Sequence, residues 1–174
     1  MQRLDSWSYA TAYRWLERQV AYGVLLMLGL LNDRDRKPQK VYGKKTKIDH
    51  LRHSVEISRI LAHFEMEGWP WRRGAEVNER FRADADLKQY GQTFRLEVDL
   101  DHERRRALER RLSVYRNCDD FVLFVCPTER RIREAKEVGE FLGNQLLVTT
   151  IAKASKDPFA KNTWEDIHGN KCSL

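Results

Sequence analysis

The sequence lacks the long apolar runs that membrane-spanning helices need. Its longest apolar stretch, Val24 to Leu31, falls far short of the roughly 20 residues that cross a bilayer as a helix. Arg3, Asp5 and Arg14 also interrupt any leader-like hydrophobic region at the N-terminus. A soluble, cytoplasmic protein without a membrane partner is expected. Cysteine is scarce: Cys118, Cys126 and Cys172 are odd in number and show no Cys-x-x-Cys spacing. That excludes a disulfide framework and a cysteine-based zinc site, and leaves buried or incidental thiols. His50 and His53 stand three apart on an expected helix, but no Cys or carboxylate completes a zinc-ligand pattern around them. Phosphate-binding glycine loops, a dinucleotide fingerprint, Ser-His-Asp order and Cys-His nucleophile patterns are all missing, as are internal repeats and low-complexity tracts.

What is present is charge. With 41% hydrophobic and 33% charged residues the chain reads as globular and heavily charged rather than disordered. Its net charge is +6, and residues 1–50 hold ten Lys/Arg against five Asp/Glu, so nearly all the excess lies in the first third. A local basic surplus is the footprint expected of binding to a phosphate backbone, although a solvated charged surface gives the same composition.

The stretch Ser8 to Gly23 predicts a helix: Ala12, Trp15, Leu16 and Val20 follow a period near 3.6, and Gly23 is a natural stop. An apolar strand at Val24 to Leu28, a polar loop from Asn32 to Pro38 and a return strand at Gln39 to Tyr42 follow. Helix, strand, charged loop and strand resemble the second half of a winged helix-turn-helix. That resemblance implies a recognition helix in the major groove and a loop on the backbone or minor groove of duplex DNA. The implied DNA contacts are Thr11, Arg14 and Arg18 on the helix and Arg34, Arg36, Lys37 and Lys40 in the wing. The plainer alternative is an amphipathic helix packed on a hairpin without a DNA role.

Beyond residue 46 the pattern is α/β (α+β). A helix is predicted from Ile48 to Phe64, a hairpin from strands Ala83 to Lys88 and Thr93 to Leu100, and a helix from His102 to Arg116. Strand Phe121 to Cys126, helix Glu129 to Leu142 and strand Gln145 to Ile151 complete it. Strands alternating with helices after a hairpin imply a mixed sheet covered by helices, and the unbroken apolar run Phe121 to Val125 implies a strand buried on both faces. The divisions expected are 1–46, 47–151 and a tail at 152–174 without trusted periodicity.

Centring an antiparallel hairpin on Tyr90-Gly91 sets Asp84 opposite Glu97 and Asp86 opposite Arg95. Alternation then puts Asp84, Asp86, Arg95, Glu97 and Asp99 on one face. Close carboxylates repel, and a divalent cation or strong basic partners would relieve them. At these residues the chain resembles the PD-(D/E)XK nuclease superfamily. It is most similar to the replication-relaxation family of plasmid and other mobile-element proteins, through Arg82-Ala83-Asp84-Ala85, Leu96-Glu97-Val98-Asp99 and Arg111-Leu112-Ser113-Val114-Tyr115.

The resemblance implies a restriction-endonuclease-like sheet, with Asp84 and Glu97 holding Mg²⁺ or Mn²⁺ and Glu76 or Glu79 as a further upstream acid. The usual strand lysine is replaced by Asp99 and the usual helix lysine by Arg111, which stabilises charge but does not take a proton; Lys88 is the candidate substitute. Three readings stay open: a wet hairpin face paired to arginines, a nuclease-like fold without activity, and a working Mg²⁺-dependent DNA endonuclease or nickase. The partners implied are double-stranded DNA, replication or mobilisation proteins, and a second copy of the chain in a homodimer. The rival to all of these is a protein-interaction module using Trp69, Trp71 and Trp164.

Overall fold

A computed structural model describes residues 26–31, 39–43, 51–78, 81–100 and 104–174, the first two segments as backbone. The chain divides into two compact units, 1–52 and 53–174. In the first, β1 (Leu26–Leu31) and β2 (Gln39–Gly43) pair antiparallel, with an irregularity between Met27 and Gly29. The expected hairpin is therefore present, and its first strand continues past Leu28 to Leu31, because an apolar run does not mark its own ends. The expected recognition helix and Thr11, Arg14, Arg18, Arg34, Arg36 and Lys37 lie outside the described residues, and Lys40 falls in β2, where the side chain is not described.

The second unit is a seven-stranded mixed sheet flanked by helices. Helix α1 (Leu51–Met66) places Ile57, Ile60, Leu61 and Phe64 on one buried stripe, as their i, i+3, i+4, i+7 spacing requires. It ends where Gly68 takes φ 75° ahead of Pro70. The edge strand β3 (Trp71–Arg73) follows, then a small hairpin of β4 (Glu76–Asn78) and β5 (Phe81–Arg82). Strands β6 (Ala85–Gln89) and β7 (Gln92–Val98) form the predicted antiparallel hairpin. Its two turn residues, Tyr90 and Gly91, have φ of 50° and 76°, the left-handed pair that matches strand twist in a two-residue turn.

Helix α2 (Arg105–Ser113) carries the chain over to β8 (Phe121–Cys126), which pairs parallel with β7. Helix α3 (Glu129–Val138) and a 3-10 segment (Glu140–Gln145) lead to β9 (Leu146–Thr150), parallel to β8. The predicted helix to Leu142 breaks at Gly139 because the chain presses on the sheet there. A Cβ at that position would lie 2.6 Å from Leu146 Cδ2 and 2.8 Å from the Ala135 oxygen.

Residues 152–174, expected as a tail, are instead part of this unit. After the short α4 (Ile151–Ala154), strands β10 (Trp164–Glu165) and β11 (Lys171–Cys172) extend the sheet antiparallel beyond β9. The indole of Trp164 is fully buried and donates to the Pro158 oxygen at 2.7 Å. Such short strands have too few residues for a periodicity to be legible.

The sheet has a core on each face. Helix α1 covers Ala85, Leu87, Leu96, Val98, Leu123 and Val125, and α2 and α3 cover Val122, Phe124, Cys126, Leu146 and Val148. Central β8 thus faces apolar neighbours on both sides, as its composition implied. Trp69 anchors the first core, with ring centroids 5.2 Å from both Phe64 and Phe94. Trp69 and Trp164 are consumed by packing, so of the three tryptophans of the protein-interaction reading only Trp71, 39% exposed, remains on the surface.

Candidate functional site

The carboxyl ends of parallel β7 and β8 bring the predicted acids together, but in a different arrangement from a single flat face. The β6–β7 ladder stops at Ala85 opposite Leu96, with Asp86 opposite Arg95 as expected. Asp84 therefore does not sit in the ladder opposite Glu97. It lies in the bend before β6, where its Oδ2 accepts the Val98 backbone N–H at 2.8 Å and its carbonyl accepts from Gly74 N–H at 3.0 Å. A short acidic side chain just outside a strand satisfies backbone donors more readily than it extends the ladder.

The acids fall into three neighbourhoods. Asp86 pairs with Arg95 at 2.5 Å and with Arg72 at 3.4 Å, and Arg95 also reaches Asp120 at 2.7 Å, so two arginines balance these two acids. Asp99 is held by two nitrogens of Arg131 at 2.6 and 2.8 Å, and Arg131 also reaches Glu134 at 2.8 Å. Asp99 is thus a partner of α3 rather than a companion of Glu97. The third neighbourhood is Asp84 and Glu97, joined by His53 from α1 and by Arg111 and Tyr115 from α2 and the turn after it.

Glu97 is 3% exposed. The Tyr115 hydroxyl donates to its Oε1, and Arg111 Nη1 lies 3.9 Å from its Oε2. Burial, and then the negative charge of Asp84, push the Glu97 carboxyl up to about 8, against the opposing pull of Tyr115, Arg111 and His53. Tyr115 is itself held neutral, raised by burial and by its carboxylate neighbour. His53 Nε2 lies 3.2 Å from Asp84 Oδ2 and 2.7 Å from the Val98 oxygen. Its pKa is raised, chiefly by the hydrogen bond to Asp84.

Three expectations are corrected by these positions. Asp86, Glu97 and Asp99 are buried, so the acidic side of the hairpin is not a wet face: Arg111 of α2 reaches Glu97, Arg131 of α3 holds Asp99, and Asp86 lies between Arg72 and Arg95. Lys88 lies in β6, four residues beyond Asp84 in the bend before it, about 13 Å away at about 3.3 Å per residue. It is exposed near the hairpin end, beside Trp71, Arg72 and Asp86, away from Glu97. Glu76 pairs with Arg82 on the exposed β4–β5 hairpin at 2.6 Å, while Glu79 lies outside the described residues. Arg111 Nη1 stands 3.9 Å from Glu97 Oε2.

Two members of the cluster were not assigned to it from the sequence. Tyr115 stands four residues after Arg111 and looked like one more apolar position, yet a buried phenol needs a polar partner. His53 was weighed only beside His50, and nothing in a linear sequence shows which strand end a helix will cover. Cys126, as expected, is an internal thiol, pushed up to about 12 by burial.

The donor set can be weighed against a divalent cation on its chemistry. Hard oxygen donors suit Mg²⁺ and Mn²⁺, and Mg²⁺ is commonly held by one or two carboxylates with waters and a substrate phosphate. Among the described residues no group of three His, Cys, Asp or Glu side chains could hold an ion. Asp84 and Glu97 supply hard oxygen donors and do not form an all-protein cage. Among the described residues no helix is long and apolar enough to cross a membrane. No family model matches the chain, and no curated protein matches it.

Proposed function

We propose that the protein binds duplex DNA in the replication or mobilisation of a plasmid, virus or other mobile element, as the resemblance to the replication-relaxation family implies. Its α/β unit would supply a nuclease-like acid pair, and its place of action would be the cytoplasm. The observation that carries this reading is the meeting of Asp84 and Glu97 with Arg111 at the carboxyl ends of parallel strands, where open α/β sheets bind their ligands. The basic first third supports it, as do the exposed Arg104, Arg105, Arg106 and Arg110 beside and along α2 and Arg130 and Arg133 on α3.

A divalent cation held by Asp84 and Glu97 would activate water and offset charge on a phosphate. The chain's own residues do the rest. Arg111 stays protonated and lends positive charge beside Glu97, while the Tyr115 hydroxyl fixes the orientation of that carboxyl group. Asp99 is engaged by Arg131 of α3. DNA binding is therefore the principal reading. Slow Mg²⁺- or Mn²⁺-dependent nicking is the second, favoured by the nearness of Asp84 to Glu97.

Titrating fluorescent duplex DNA at increasing salt tests the first: affinity should fall steeply between 50 and 200 mM, with a slope set by the phosphates neutralised. Absence of binding at 50 mM salt overturns it. Nicking of supercoiled plasmid with Mn²⁺ tests the second, and Glu97→Ala should abolish it.

A further inference from the structure

A cavity of about 260 Å³ lies apart from the acid cluster, lined by Pro70, Trp71, Arg72, Asp86 and Lys88. Trp71 stands opposite Leu87 and Arg72 opposite Asp86, so the cavity flanks the turn end of the β6–β7 hairpin. Asp84 and Glu97 lie toward the other end. Strand alternation puts Arg72, Asp86 and Lys88 on one face and turns Trp71 to the other. Arg72 and Lys88 are diagonal neighbours across the strand pair, about 7–8 Å apart at the backbone, so two long side chains can converge on one group.

The acid in this cavity does not use up its positive charge. Asp86 is buried and held by Arg95 at 2.5 Å, whereas Arg72, its side chain 73% exposed, is 3.4 Å away. Two exposed cations, Arg72 and Lys88, thus face one acid that a third cation already engages. Aromatic surface adjoins them. Trp71, 39% exposed, stands on the outermost strand of the sheet, and Tyr90, 90% exposed, occupies the turn two residues after Lys88.

The geometry points to this edge as a binding site for a single strand of nucleic acid, with a phosphate between Arg72 and Lys88 and unpaired bases stacked on Trp71 and Tyr90. Exposed rings set among cations suit such a strand, because every base offers a π-face and every linkage a negative charge. A lone anion would leave the rings unused, and a duplex keeps its bases stacked on one another. The strand crosses the sheet edge, holding its charge on one face and a base on the other. The site is separate from the acid pair and does not rest on the duplex reading.

The test is fluorescence anisotropy of the full chain with a labelled oligothymidylate of about 12 residues, beside a duplex of equal length, at low salt. Trp71→Ala should weaken single-strand binding about tenfold, the order of one stacked base, and Trp71→Phe should keep most of it. Arg72→Ala/Lys88→Ala should also weaken it and reduce the salt slope by about 1.4, as for two phosphate contacts. Duplex affinity should stay unchanged in all three. Unaltered single-strand binding in Trp71→Ala overturns the proposal, as does an equal loss for duplex and single strand.

Thymidine monophosphate that displaces the oligonucleotide at equal concentration overturns the strand and makes the cavity a free-nucleotide site. Should Trp71→Ala not fold, photo-crosslinking of a bromodeoxyuridine oligonucleotide to the unaltered protein decides. A crosslink at Trp71 or Tyr90 supports the site, and crosslinks confined to other residues overturn it. Duplex binding without single-strand binding defeats this inference alone, and the converse defeats the duplex reading alone.

Discussion

Glu97 and Asp99 stand two residues apart at the end of one strand, on one face and equally buried, yet their surroundings treat them in opposite ways. Asp99 meets a bidentate guanidinium from α3, so its charge is matched inside the protein. Glu97 meets a second carboxylate, a phenol and an arginine 3.9 Å away, so its proton is retained up to about 8. The contrast separates two uses of a buried acid. A matched pair fastens a helix to a sheet, whereas an acid left beside another acid stores electrostatic strain that an outside cation can relieve.

The largest effect is expected on the matched side. Arg131→Ala leaves Asp99 buried without its guanidinium and should cost about 3–5 kcal/mol in urea unfolding, with most of that recovered in an Asp99→Leu/Arg131→Met double variant. A loss below about 1 kcal/mol would erase the distinction between the two acids.

On the other side, Glu97→Gln should stabilise the protein in alkaline solution. The folded carboxyl titrates near 8 against an ordinary 4.5, so the stability carried by its proton is fully present below about 4.5 and is lost as pH rises through 8. Unfolding free energy of the parent should therefore fall between pH 5 and 9 by on the order of a few kcal/mol relative to Glu97→Gln, whose profile lacks that decline. Parallel profiles for the two proteins would show that Glu97 is ionised after all.

The smallest change sharpens the contrast. Tyr115→Phe removes the hydroxyl that pulls the Glu97 carboxyl down, so its midpoint, followed by carbon-13 resonance of the side chain, should move above about 8, with a stability cost of about 1 kcal/mol. A downward move would mean that the phenol disfavours the charged carboxylate.

Much of the architecture could be read in advance wherever a local rule operates. The period of Ile57, Ile60, Leu61 and Phe64 announced α1, the apolar run from Phe121 announced a central strand, and Tyr90-Gly91 announced a two-residue turn with Asp86 opposite Arg95. Helix and strand ends were less legible, since the stop at Gly139 depends on Leu146, a contact made only after the chain returns to the sheet. Residues 152–174 escaped notice for a similar reason: β10 and β11 exist because β9 offers an edge to pair with, not because two-residue strands have a pattern of their own.

The amino-acid order by itself determined that acids would gather near the end of one hairpin, because side-chain alternation and turn position are properties of neighbours along the chain. Only the tertiary structure decided which acid would be neutralised. Arg131, Arg111, Tyr115 and His53 arrive from three separate helical regions, and a charge in a low-dielectric interior answers to whatever lies within a few ångströms, however far away it stands in sequence.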